Sequence, residues 1–364
     1  MTSDRQDKHP DFIVRQPDPF NGGPPPERLL GNFITPYELF FVRNHGGVPE
    51  VDPDAYRLAV DGLVERPLSL SLDDLRRLPR AAVTATLQCA GNRRQEMMAY
   101  KPIPDELPWG TEAVSNGEWS GIPLREVLAA AGPSPGALHA AFTGLDDTER
   151  HGHRFNFGGS IPLDKALSGE VLLADTLNGQ PLPPLHGAPL RVVVPGYIGA
   201  RSVKWLSRIT LQDKPSDNYF QAKAYRLFPP HYGPGNVDWE KGLRLGEAPV
   251  SSVILSPQEK ETVPAGKVAV RGWALAGGER SVSRVDVSAD GGETWTVANF
   301  VEGVDGVFVW RLWEAVLDLG PGSREIVCRA WDTAAQTQPE RAAHVWNFKG
   351  YANNSWHRVR VTCT

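Results

Sequence analysis

The stretch with the most chemical potential is Leu87-Gln-Cys-Ala-Gly-Asn-Arg-Arg94. A strand-like run delivers one cysteine, Cys89, into an Ala-Gly-Asn turn that two arginines follow at once. The common fate of a free cysteine is that of a small buried hydrophobe. Adjacent guanidinium charges instead favour the thiolate, and with it metal ligation or nucleophilicity. The Ala-Gly pair lets a bulky group approach the backbone. A second cluster is Phe40-Phe-Val-Arg-Asn-His-Gly-Gly-Val-Pro49, where Arg43 and His45 follow an apolar run and precede a Gly-Gly turn. That order puts cationic donors at a strand or loop end, although a solvated turn has the same composition. In the third cluster, between His186 and Trp205, His186, Arg191, Arg201 and Lys204 flank a buried strand and a Gly-rich turn. Basic groups beside exposed backbone N–H are what a phosphate-bearing ligand requires. His151-Gly-His153 has the look of a metal pair but lacks a third ligand, so it reads as two solvated loop histidines. Phosphate-loop, dinucleotide and zinc-protease signatures are absent.

The elements that must position these clusters fall into two textures. From about residue 29 to 245, short apolar runs alternate with helical pieces. Leu72, Leu75 and Leu78 share one helical face, and Pro123 to Gly132 opens on Pro and closes on Gly as a short helix should. Val83–Leu87 and Leu190–Val194 read as strands. No clean βαβ repeat appears, so the fold class is α+β rather than a doubly wound sheet. After Gly246 the runs Val268–Trp273, Val282–Ser288, Val307–Leu312 and Ile326–Trp331 are short, alternating and separated by turn residues. Val285, Val287 and Ala289 fall on one face, with Arg284, Asp286 and Ser288 on the other. Asp290-Gly-Gly before Thr294-Trp-Thr-Val signals a hairpin. No helix is expected there, and the pattern predicts an all-β sandwich of immunoglobulin type. Residues 1–28, polar and Pro-rich, read as an extended N-terminal arm or wrapping strand. The expected units are therefore 1–28, 29–245 and 246–364.

Composition narrows the function classes. At 364 residues the chain holds two or three domains. Its 36 Gly and 32 Pro make up close to a fifth of the chain, against an average near 12%, which favours turn-rich β structure. A net charge of −5 without a basic block argues against a nucleic-acid partner. No apolar run is long enough to span a bilayer, so no membrane is expected. Three dispersed cysteines form no disulfide framework, Cys328 lying in a core strand and Cys363 in the tail. With no secretory h-region at the N-terminus, the expected location is cytoplasmic.

Together the clusters match a family. FFVRNHGGVP, LQCAGNRR, GARSVKW and, further on, RVDVSADGGETW and NNSWHRV resemble the sulfite oxidase family of molybdenum enzymes, over about residues 30–362. The resemblance implies a molybdopterin-binding domain followed by an immunoglobulin-like dimerisation domain, and hence a homodimer. It implies that Cys89 is the thiolate ligand of molybdenum, as suits a soft metal. Asn44, His45, Asp146, His186, Arg191, Ser202 and Lys204 match pterin-binding positions, and Arg43, Arg94, Trp109 and Tyr225 match positions lining the oxyanion pocket. Lys349 stands where the family has an arginine, which keeps the charge and loses the bidentate fork. The segment Glu149–Asn156 also departs from the animal pattern.

The implied reaction is oxidation of sulfite to sulfate by oxygen-atom transfer, with the chemistry carried by the molybdenum–molybdopterin cofactor. No haem and no flavin module is expected within these residues. Electrons would then leave to a separate acceptor, a soluble cytochrome or oxygen. The alternatives are a nitrate reductase-type core, which Tyr225 disfavours, and a catalytically silent interaction protein, which retention of Cys89, Arg94 and Tyr225 disfavours.

Overall fold

A computed structural model describes residues 7–150, 152–301 and 306–364, so His151 of the histidine pair lies outside the described residues. Two mixed layers of strand and short helix come first. One sheet has the order Gln180–Pro181, Leu172–Leu177, Val114–Pro123, Ala81–Gln88, with Arg191–Val193 also pairing with Leu172–Leu177. All of its pairings are antiparallel. The other has the order Leu68–Leu70, Leu58–Gly62, Leu206–Gln212, His139–Arg150, His153–Pro162. A core containing Val60, Leu128, Phe142, Ile161, Val192 and Ile209 fills the space between these layers and their helices. The helix Leu72–Arg76 starts where Ser71 and Asp74 form a reciprocal capping box. The helix Leu124–Ala131 follows Pro123 and stops at Gly132, whose φ of 68° suits a left-handed cap.

The C-terminal part is a β-sandwich. A four-stranded sheet (Ser251–Ser256, Gly266–Leu275, Arg311–Leu319, Asn299–Phe300) packs on a five-stranded one (Thr262–Val263, His357–Cys363, Gly322–Asp332, Val282–Ser288, Thr296–Val297). Val270, Trp313, Ala315, Val285, Val287, Ile326 and Val359 meet between them. The α+β class, with a strand-rich sandwich at the end, is as expected.

Five details differ from the sequence reading. The N-terminal arm is not simply extended: Ile13–Pro17 and Phe20–Gly23 form an antiparallel hairpin. Asp286, expected on a polar face, is fully buried. It accepts from Arg284 at 2.5 Å, Arg329 at 3.1 Å and the Trp331 indole at 3.3 Å, so its partners replace solvent. Val307–Leu312 is a strand only from Arg311, because its first half bonds across to the other unit. Thr86 N donates to Phe308 O at 2.9 Å, and Trp310 N donates to Thr86 Oγ1 at 2.9 Å. Cys363 is no loose tail; it ends a strand and is buried in the sandwich core. A single helical turn, Ala342–Val345, stands where no helix was expected.

Candidate active site

Cys89 caps the strand Ala81–Gln88 and sits buried at the head of a tight turn. Its N–H donates to Ala113 O at 2.9 Å, and its Sγ receives the Gly91 N–H at 3.4 Å. Asn92 closes the turn by accepting from Ala113 N at 3.0 Å. The turn opens into a cleft whose walls include Phe41, Arg43, Asn44, His45, Asp146, Phe157, His186, Arg191, Ser202, Lys204 and Tyr225. The cleft opens to solvent at its mouth. A second cavity shares Arg43, Asn44 and His45 with the cleft and continues past Glu106, Arg150, Tyr219, Lys349 and Tyr351.

The fold therefore brings together Cys89 and all seven expected pterin-binding positions. Arg191 opens the short buried strand Arg191–Val193 and donates to His186 O at 2.9 Å and Ser202 O at 3.1 Å. Ser202 Oγ accepts from Val194 N at 3.0 Å, and the Lys204 ammonium donates to Asn44 Oδ1. Tyr225 follows the π-helical turn Phe220–Ala224, an irregularity common at functional sites. The phenol lies 3.0 Å from His45 Nε2, and its ring stacks on Tyr351 at 5.0 Å.

Two of the expected oxyanion residues lie off the walls. Trp109 is fully buried in the apolar cluster that holds Phe41, Leu87 and Cys89, and its indole N–H has no partner among the described residues. Arg94 donates to Lys349 O at 3.1 Å, Gly350 O at 3.2 Å and Leu107 O at 2.8 Å. Its guanidinium is thereby a brace beneath the second cavity. Gly350 permits this approach, since a Cβ there would stand 2.5 Å from Arg94 Cγ and φ is +61°. Lys349 does reach the second cavity, where its ammonium pairs with Glu106.

Electrostatics is the distinctive property. Among the described residues, Lys8, Arg43, Arg191 and Lys204 have no carboxylate within ion-pair distance. Burial lowers Arg191 to about 9 and Lys8 to about 7, and pushes Lys204, His186 and His45 well below their ordinary values. Burial raises Asp146 to about 6 against the pull of Lys204, and Asp146 Oδ1 has no hydrogen-bond partner among the described residues. Dry cations without counter-charge are costly. An anionic group with hydrogen-bonding edges, such as a pterin with a phosphate tail, would offset that cost, so these residues fit molybdopterin.

Four contributors escaped the sequence reading. Lys8 reaches from the arm to donate to Tyr37 O at 2.8 Å and Phe40 O at 3.1 Å, and lies 3.0 Å from His186 Nε2. Glu106, Arg150 and Tyr351 line the second cavity. No periodicity marks any of them; the departure noted at Glu149–Asn156 was the one available pointer to Arg150.

Comparison with known proteins agrees with this geometry. The oxidoreductase molybdopterin binding domain family matches residues 45–220, and the Mo-co oxidoreductase dimerisation domain family matches 244–364. Mitochondrial sulfite oxidase of Homo sapiens is 45% identical over 368 residues, covering 97% of this chain and 66% of that protein. Sulfite oxidase of Arabidopsis thaliana is 39% identical over 373 residues, covering 97% of this chain and 94% of that one. The chain belongs to the sulfite oxidase family. The fold is also similar to that of the crystal structure of the sulfane dehydrogenase SoxCD from Paracoccus pantotrophus. It superposes with a TM-score of 0.80 at 28% identity, covering 96% of this chain and 88% of that one. The chain spans just under two thirds of the length of the human sulfite oxidase it matches. Among its described residues, no helix is long and apolar enough to cross a membrane.

Proposed function

We propose that this chain oxidises sulfite to sulfate with a molybdenum–molybdopterin cofactor and passes the electrons to a separate acceptor, a cytochrome or oxygen. The observation that carries the reading is the cleft in which Cys89 shares its walls with five cationic or imidazole groups, Arg43, His45, His186, Arg191 and Lys204, and with one carboxylate, Asp146. Cys89 is the residue that would hold the metal. Asn44, His45, Asp146, His186, Arg191, Ser202 and Lys204 would hold the pterin and its phosphate. When bound, the cofactor supplies an oxygen atom and accepts an electron pair.

The protein's own residues bind and orient the oxyanion. Arg43 lines both cavities, and Tyr225 lines the first with its phenol beside His45, which also lines both. Burial raises the Tyr225 phenol far above its ordinary value, so it remains a donor throughout the working pH range. His45, held neutral by burial and neighbouring cations, lies 3.0 Å from that hydroxyl and fixes its direction. Phe157 and Phe220 pack on the His45 ring at 4.7 and 4.4 Å and exclude water from that side. Lys349 stands at the outer edge, paired with Glu106.

In this reading residues 29–245 form the catalytic unit, 246–364 form a homodimerisation unit, and 1–28 form an arm over the pterin site. A cytoplasmic location and the absence of a nucleic-acid partner accompany it. The test is steady-state turnover of the molybdenum-loaded protein on sulfite and on nitrate, each with several acceptors. Sulfite oxidation with negligible nitrate reduction is expected, and the reverse preference overturns the reading.

A further inference from the structure

Glu106 is one of two carboxylates, with Asp105, on a cavity that the cations Arg43, Arg150 and Lys349 also line. Its side chain is 15% exposed. One oxygen pairs with the Lys349 ammonium, and the other lies 3.5 Å from Arg94 Nη2. The backbone before it is held in a left-handed turn, with Asp105 at φ 63°, a conformation that Asp tolerates better than most residues. Around the same cavity, Arg43 and Arg150 have no carboxylate partner among the described residues. The positive charge facing an incoming anion is thus graded: Lys349 is cancelled, while Arg43 and Arg150 are free to act.

We propose that Glu106 sets the charge selectivity of the anion site, pairing with Lys349 so that dianions bind weakly relative to monoanions. This rests on the sulfite-oxidising reading of the same cavity. Chemically it favours entry of a singly charged oxyanion, such as hydrogensulfite, and departure of the sulfate dianion. The interaction of a fixed charge with a dianion is twice that with a monoanion at equal distance. A fold-change in monoanion affinity therefore appears squared for the dianion. Replacing the carboxylate by its neutral isostere should tighten monoanions about threefold and dianions about tenfold, since energies add where affinities multiply.

The experiment is calorimetric titration of the molybdenum-loaded protein with sulfate and with nitrate, neither of which requires sulfite turnover. Glu106→Gln is expected to tighten sulfate about tenfold and nitrate about threefold, with the sulfite KM falling about threefold and the sulfate inhibition constant about tenfold. Glu106→Asp keeps the charge and should keep the wild-type sulfate-to-nitrate ratio. In the Lys349→Met background the gain from Glu106→Gln should change, because the pair acts as a unit. An unchanged sulfate-to-nitrate ratio in Glu106→Gln overturns the proposal, as does an equal shift for both anions. If Glu106→Gln does not fold, Lys349→Met alone decides: it exposes the carboxylate and must weaken sulfate more than nitrate. The two failures are separable. Wild-type protein that does not oxidise sulfite removes the functional reading, while the anion ratio tests Glu106 independently.

Discussion

The residue beside the brace, Arg93, ties the Cys89 turn to the sandwich. Arg93→Met removes that tie while keeping the length and apolar stem. Arg93 is fully buried and adopts φ 63° at the start of the helix Arg94–Tyr100. It donates to both Glu96 oxygens at 2.7 Å, to Ser355 O at 2.7 Å, to Trp356 O at 3.3 Å and to Ser252 O at 3.4 Å. Burial alone would raise the Glu96 carboxyl; Arg93, helped by His357 and Asn353, outweighs it and holds Glu96 below its ordinary range. Breaking a buried pair costs about 3–5 kcal/mol. Glu96 is 34% exposed, so water recovers part of the loss and about 3 kcal/mol is expected. At about 2.1 cal/mol/K per residue of unfolding entropy, that lowers the thermal midpoint by about 4 °C. Differential scanning fluorimetry measures the shift, and the Arg93→Met/Glu96→Met double variant should lose less than the sum of the singles, by more than about 1 kcal/mol. A shift below about 1 °C, or strict additivity, refutes the clamp.

Three further outcomes follow from the same geometry. Tyr225→Phe keeps the stack on Tyr351 and loses the donor beside His45, so kcat/KM for sulfite should fall about 10- to 100-fold; an unchanged value removes Tyr225 from the site. Burial, reinforced by Arg93, lowers His357 to about 4. The folded state excludes a proton that the unfolded state takes up near pH 6.5, so this stabilisation is present above that pH and lost as the pH falls from 6.5 toward 4. It amounts to about 3 kcal/mol. In urea unfolding, wild type should lose that much more than His357→Gln over this window, and parallel pH curves count against it. Sedimentation should give a two-fold homodimer; an active dilute monomer would contradict that.

Much of the site was legible because its residues are local in sequence. LQCAGNRR places Cys89 at a strand end in any α+β arrangement, and the spacing from His186 to Lys204 wraps basic groups around one short buried strand. What was not legible depends on contacts between distant segments. Arg94 becomes a brace because Gly350, more than 250 residues away, lets the C-terminal segment close on it. Lys8 and Glu106 each sit in irregular chain, where neither a period of 2 nor one of 3.6 operates. Asp286 alternates as a surface residue would, and only the convergence of Arg284, Arg329 and Trp331 makes its burial tolerable.

The central claim is that Cys89 holds the metal on which sulfite is oxidised. Its most direct test is sulfite turnover by the molybdenum-loaded Cys89→Ser protein beside wild type, with pterin content measured on the same samples. Serine is nearly isosteric with cysteine but a harder and less acidic ligand. The expected result is retained pterin, held by His186, Arg191 and Lys204, with turnover reduced by more than about 100-fold, beyond the loss of an outer-shell partner. Wild-type turnover with molybdenum bound to the Cys89→Ser protein would contradict it.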